Sequence, residues 1–266
     1  MAEETPVDKQ RTIRKPVRVE GIGLHTGKTV RVEFKPAPPD SGINFLRTDL
    51  AGSSPVHAAV PSILEAARRQ RRTSIGNGVV EVHTIEHLMA GCFGCGIDNL
   101  LVEINGEEVP GMDGSAHPFL ELFRRVGIQE QPAPRRAIPI REPVWVEEGS
   151  SALAVFPADT FRISYTLSYP VPTLNAQFFT AEVTPASFEK EIASARTFCL
   201  AQEVEALRKV GLGKGSNYEN TVVIEPTGKV VNNHLRYPDE FVRHKVLDLI
   251  GDLYLLGHPL IGAFVG

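Results

Sequence analysis

Apolar and polar residues alternate through KTVRVEFKP (28–36) and FRISYTLSYP (161–170), the period of two that turns one strand face to a core and the other to water. Glycine and proline punctuate the chain between such runs. Five other stretches, 83–93, 118–126, 185–194, 201–210 and 238–256, carry helical patterns instead. Together these predict an α+β fold with mainly antiparallel sheets. The polar, proline-rich GIQEQPAPRRAIP (127–139) lies near the midpoint and predicts a domain boundary at about residue 130, giving units 1–130 and 131–266. The halves also look alike. VHTIEHLMAGCFGCGIDNLLVEI (82–104) and VRHKVLDLIGDLYLLGHPLIGAFV (242–265) each read as an apolar helix, a glycine-bearing turn and an apolar strand. Such self-similarity predicts a duplicated unit, with the two helices packed face to face between two sheets.

The second of these helices has a costly feature. RHKVLDLIGD (243–252) is largely apolar, yet His244, Asp248 and Asp252 recur at i, i+4 and i+8 and share one stripe. Buried ionisable groups are normally neutralised, paired or bound to a metal. HTIEH (83–87) in the first half admits two metal readings. As H-x-x-E-H it matches the inverted zinc-protease motif, with His83 and His87 as ligands and Glu86 as base. Alternatively His87 alone binds, and His244 and Asp248 complete the set from the other helix. Two histidines and one carboxylate meet the needs of a catalytic zinc either way.

Composition narrows the field of partners. With 266 residues, 42% of them hydrophobic, the chain can bury a substantial core, and a formal net charge of -4 gives no general attraction to nucleic acid or acidic lipid. The basic cluster of Arg68, Arg69, Arg71 and Arg72 reads as a solvated turn. MAEETPVDKQ (1–10) lacks the layout of a secretory signal, and the apolar runs fall short of a membrane span. Three cysteines exclude a disulfide scaffold, and Cys92 and Cys95 read as small buried side chains rather than a redox or zinc pair. A cytoplasmic monomer acting on a small molecule is expected. GIGLHTG (21–27) misses the dinucleotide spacing and reads as a turn between strands, and MDGS (112–115) reads as an Asp-Gly turn.

GIGLHTG, HTIEHLMAG, GIDN, VPGMDGSAHPF, ARTFCL, KVGLGKGS and LRYPDEFVRHKVLDLIGDLYLLG occur in this order between Arg11 and Phe264. Together they closely resemble the UDP-3-O-acyl-N-acetylglucosamine deacetylases, the zinc amidohydrolases of lipid A biosynthesis. The resemblance implies two α+β domains with the helices sandwiched between the sheets and an insert at about 196–231 lining an apolar passage. It implies hydrolysis of the acetamide of an acylated UDP-N-acetylglucosamine. His87, His244 and Asp248 fall on the family's zinc ligands and Glu86 on its general base, a role that suits a carboxylate beside a metal. Thr197 falls on the hydroxyl that helps hold the oxyanion. Phe198, Lys245 and Lys214 fall on substrate-site positions, and Asp252 on the carboxylate that orients a catalytic histidine. That histidine follows the family's counterpart of IGAFVG; His258 in the turn GHPL is not it, and this chain ends at Gly266. The expectation is therefore a fragment that binds zinc but deacetylates poorly.

Three classes of function follow. A deacetylase places the metal between the two halves. An H-x-x-E-H peptidase loses its metal when His83 is replaced. A non-catalytic UDP-sugar or acyl-chain binding remnant takes up ligand without releasing acetate. The separation of His87 from His244 discriminates best.

Overall fold

The computed structural model describes residues 8–68 and 70–266. Residues 1–7 of the polar amino terminus and Arg69 of the basic cluster lie outside the described residues. The first half runs β1 (Asp8–Ile13), β2 (Val17–Ile22), β3 (Thr29–Pro36), β4 (Ile43–Arg47), β5 (Val56–His57), β6 (Ser74–Gly76) and β7 (Glu81–His83). It continues with α1 (Glu86–Cys95), β8 (Leu100–Ile104) and α2 (His117–Val126). The second half has β9 (Ile128–Arg135), β10 (Ile138–Pro139), β11 (Val144–Glu148), β12 (Ser151–Phe156), β13 (Phe161–Leu167), β14 (Gln177–Glu182) and α3 (Pro185–Glu191). Then come β15 (Phe198–Leu200), α4 (Val204–Lys209), β16 (Val222–Ile224), β17 (Val230–Val231), α5 (Glu240–Leu253) and β18 (Leu260–Val265).

Two sheets repeat one topology. The first has the order β2-β3-β8-β4-β5, with β8 antiparallel to β3 and parallel to β4. The second has the order β11-β12-β18-β13-β14, with β18 antiparallel to β12 and parallel to β13. In each half the central strand follows an apolar helix through a left-handed glycine, Gly96 at φ 64° and Gly257 at φ 79°. Glycine fits there because it lacks the Cβ that crowds this conformation. The duplication read in the sequence is thus present in the strand order. The 127–139 stretch is itself largely strand: β9 pairs antiparallel with β1, tying the start of the second half to the start of the first.

The helices fill the space between the sheets. Phe34 of β3 packs edge-on against Phe119 and Phe123 of α2, at centroid distances of 6.3 and 5.1 Å. Phe93 of α1 meets Phe161 of β13 at 5.7 Å, so α1 touches the second sheet's side of the core as well. Nearly every residue of α1 is buried, as expected of a helix apolar all round. It packs on α2, α3 and, most extensively, α5.

The helix boundaries differ from the pattern at the functional end. Helix α1 begins at Glu86, not His83, because His83 is the last residue of β7 and Thr84 takes a left-handed φ of 58°. Helix α3 stops at Glu191, and 201–210 divides into a 3-10 turn and the short α4. Helix α5 covers Glu240–Leu253 with a 3-10 turn beyond it. Among the described residues no helix is long and apolar enough to cross a membrane.

Candidate metal centre and active site

Helices α1 and α5 cross at Gly251. A Cβ built there would sit 2.1 Å from the carbonyl oxygen of Glu86, so only glycine lets the first turn of α1 lie this close to α5. That approach brings the polar residues of the two helices together. The His87 and His244 rings are 5.0 Å apart at 80°. Gly251→Ala must push the helices apart, and overpacking of this kind costs about 1–3 kcal/mol. Urea unfolding of the metal-free variant should show that loss, and metal titration should show weaker binding.

Three donors converge at the crossing. Asp248 Oδ1 lies 3.3 Å from His244 Nε2 and 3.6 Å from His87 Nε2. Among the described residues, His87, His244 and Asp248 are the group whose ligand atoms fall within 4.8 Å of one another. Asp248 Oδ1 is buried and has no hydrogen-bond partner. Such an orphan is costly unless a cation satisfies it. His244 Nδ1 donates to the carbonyl of Ala195 at 3.0 Å, which leaves Nε2 as the lone-pair nitrogen facing the carboxylate. Burial pushes His244 down to about 4, keeping the ring neutral as a ligand must be. Burial works against ionisation of Asp248, but His244, Lys245 and His87 outweigh it and hold the carboxyl well below its ordinary range. Lys245 Nζ donates to Asp248 Oδ2 at 2.9 Å, fixing which oxygen faces the imidazoles. Two imidazoles and a carboxylate with an orphaned oxygen suit a divalent metal ion.

His83 takes no part in this group. Its Nδ1 sits 2.9 Å from Ser74 Oγ, and its Nε2 is 3.6 Å from Glu81 Oε2. An H-x-x-E-H site needs both imidazoles on one helix face, and Thr84 turns the chain before the helix begins. The peptidase arrangement is not formed.

Glu86 opens α1 beside this centre. Its Oε2 accepts the backbone N–H of Thr73 at 3.0 Å. Burial pushes its carboxyl up to about 7, with Asp248 and Asp252 adding to the rise and His87 opposing it. A carboxylate of that basicity holds or releases a proton near neutrality.

A cavity of about 670 Å³ opens from the centre. Glu86, Thr73, Thr197, Lys245, Asp248 and Asp252 line it, and Leu24, Val204, Leu207 and Val223 give it an apolar part. Phe198 also lines it, 6.4 Å from the His244 ring and with Lys245 Nζ 5.6 Å from its own centroid. Thr197 is held by its backbone: its N–H donates to Gly114 O at 2.9 Å and its carbonyl accepts from Val222 N at 2.8 Å. The MDGS turn thus buttresses Thr197, a role its local sequence does not announce. Lys214 is placed differently from the other expected site residues. Its side chain is not among the cavity's lining, while its backbone N–H donates to His25 O at 3.2 Å and docks the glycine-rich loop on the GIGLHTG turn.

Two buried acids missed by the sequence reading hold these walls. Glu108 accepts the His25 and Thr26 N–H groups at 2.9 and 2.8 Å and the Thr84 hydroxyl at 2.9 Å, fixing both the turn and the kink before α1. Glu240 receives Arg196 beside Thr197 in a fully buried ion pair of 2.8 Å. No motif or spacing in the sequence marks either of them.

Residues 10–266 match the family described as LpxC, UDP-3-O-acyl N-acetylglycosamine deacetylase. The chain is 44% identical over 260 residues to the UDP-3-O-acyl-N-acetylglucosamine deacetylase of Acidithiobacillus ferrooxidans, covering 97% of this chain and 84% of that protein. Proteins of the same name from Myxococcus xanthus and Pseudomonas entomophila are each 43% identical, over 95% and 97% of this chain and 80% and 85% of their own lengths. With a family match over residues 10–266 and relatives 43–44% identical across nearly the whole of it, this chain belongs to the UDP-3-O-acyl N-acetylglycosamine deacetylase family.

Proposed function

We propose that the chain hydrolyses the N-acetyl group of UDP-3-O-acyl-N-acetylglucosamine, releasing acetate, in lipid A biosynthesis. The observation that carries this reading is the convergence of His87, His244 and Asp248 beside the basic carboxylate Glu86, at the head of a cavity with an apolar part. The ion would be Zn2+, and His87, His244 and Asp248 would hold it. When bound it supplies Lewis acidity to the amide carbonyl and to the attacking water.

Glu86 takes the proton of that water and is placed to return it to the departing amine nitrogen. The Thr197 hydroxyl donates to the oxygen on which negative charge develops, and its anchored backbone makes it a fixed donor. Lys245, held charged chiefly by Asp248, adds positive potential at the same place. Phe198 covers the sugar end, and the 196–231 insert receives the acyl chain among Leu207, Val204 and Val223. Lys214 serves the substrate from the glycine-rich loop, and Asp252 steadies an acid-base partner. The halves 1–130 and 131–266 form the two units, and the protein works as a cytoplasmic monomer.

Acetate release from the acylated UDP-sugar, measured with metal content, tests the reading. The purified protein should hold about one zinc per chain, one three-ligand group being present among the described residues. Chelation should stop acetate release and zinc should restore it. His244→Ala should lose the metal and His83→Ala should keep it. Zinc retention by His244→Ala, or no acetate from the zinc-loaded chain, would refute the assignment.

A further inference from the structure

Thr73 precedes the short strand β6 and was singled out by no motif, yet all three of its polar groups are engaged at the reaction centre. Its carbonyl accepts the N–H of Ile85, the residue before α1, at 3.3 Å. Its own N–H donates to Glu86 Oε2 at 3.0 Å. Its hydroxyl donates to Asp252 Oδ1 at 2.6 Å, across 179 positions of sequence. Glu86 belongs to the first half and Asp252 to the second, and both line the cavity with Thr73 between them. Short hydrogen bonds to ionised acceptors are the strong ones and fix direction as well as distance.

We infer that Thr73 is a positioning residue for the deacetylation. It clamps the carboxylates of Glu86 and Asp252 into one frame, so that the last turn of α5 is registered on the first turn of α1 independently of the metal ligands. The backbone N–H sets the Glu86 oxygen that it holds, and the hydroxyl sets Asp252. The inference rests on the proposed function for its effect on turnover. The contact itself does not.

Thr73→Val keeps the shape and the N–H and removes only the hydroxyl; Thr73→Ser keeps both donors. Asp252 is exposed, so water competes for this hydrogen bond, and losing it corresponds to roughly a 5- to 10-fold change. Thr73→Val should lower kcat by about that factor with KM within about twofold and zinc content unchanged. Thr73→Ser should recover turnover to within about threefold. In an Asp252→Ala background, Thr73→Val should add little further loss, since the hydroxyl acts through Asp252. The same pairwise cycle read by urea unfolding should show coupling between the two side chains.

Undiminished kcat in Thr73→Val, failure of serine to rescue, or equal losses with and without Asp252 would overturn the inference. So would additive unfolding effects, because the contact would then be absent. A wild-type chain that releases no acetate but shows the unfolding coupling would sink the function and the turnover claim while leaving the clamp itself standing.

Discussion

Glu86→Gln should lower kcat by about 10²- to 10⁴-fold, the usual span for removing a general base. That is about 3–5 kcal/mol of transition-state stabilisation. The substitution is nearly isosteric, and the glutamine carbonyl can still accept the Thr73 N–H, so the first turn of α1 should keep its place. The three donors of the metal group are other residues, so zinc content should match that of the parent. What disappears is proton affinity. The parent carboxyl is pushed up to about 7 by burial, so it gives up its proton and becomes a base only as pH rises toward that value. A bound cation nearby favours the ionised form and draws the value down. The acid limb of kcat/KM should therefore fall between the ordinary 4.5 and about 7, and should be missing from the residual activity of Glu86→Gln. The folding linkage has the opposite sense. A carboxyl raised in the folded state contributes stability that is fully present below 4.5 and lost as pH rises through about 7. Metal-free parent should lose stability over that window while the Gln variant does not, as measured by urea unfolding at several pH values. An unaltered pH profile, or a kcat within threefold of the parent, would remove Glu86 from the base role.

How much of this was legible beforehand depended on whether the signal was periodic. The stripe of His244, Asp248 and Asp252 follows from helical spacing alone, and two of its three members lie where the metal group forms. The duplicated helix, glycine and strand was readable because a left-handed glycine ends each helix, and the two sheets share one strand order. HTIEH stayed ambiguous because the deciding fact is a left-handed Thr84, which backbone preference disfavours for a β-branched residue. Glu108 imposes that conformation through the Thr84 hydroxyl from 24 positions away, beyond any local pattern. Thr73 escaped for the same reason: its partner Asp252 is brought to it only by the crossing of α1 and α5. Spacing identified which residues could act together within an element. Contacts between elements had to be supplied by the fold.

Glu240→Ala should damage the scaffold severely, although no motif marks the position. Its carboxylate is fully buried and accepts from Arg196 three times: from N at 3.0 Å, Nε at 2.8 Å and Nη2 at 3.2 Å. It also accepts the N–H of Arg236 at 2.6 Å. Arg196 also donates from Nη2 to His234 O at 2.6 Å and from Nη1 to Asn233 Oδ1 at 3.1 Å. Removing the carboxylate strands a buried guanidinium and two backbone N–H groups, and breaking a buried pair from one side costs about 3–5 kcal/mol. For a chain of this size that lowers Tm by roughly 10 °C, at about 2–4 °C per kcal/mol. Glu240→Gln keeps an acceptor and should cost less. Arg196 adjoins Thr197 in the chain, and Glu240 opens the helix that carries His244 and Asp248. The pair therefore ties Thr197 to the helix that carries His244 and Asp248, and kcat should fall in Glu240→Ala even at temperatures where the variant is fully folded. A urea midpoint that drops with the m-value unchanged would assign the loss to the native pair rather than to a change in the unfolded chain. A loss under about 1 kcal/mol, the range of an exposed ion pair, would mean that water reaches the pair.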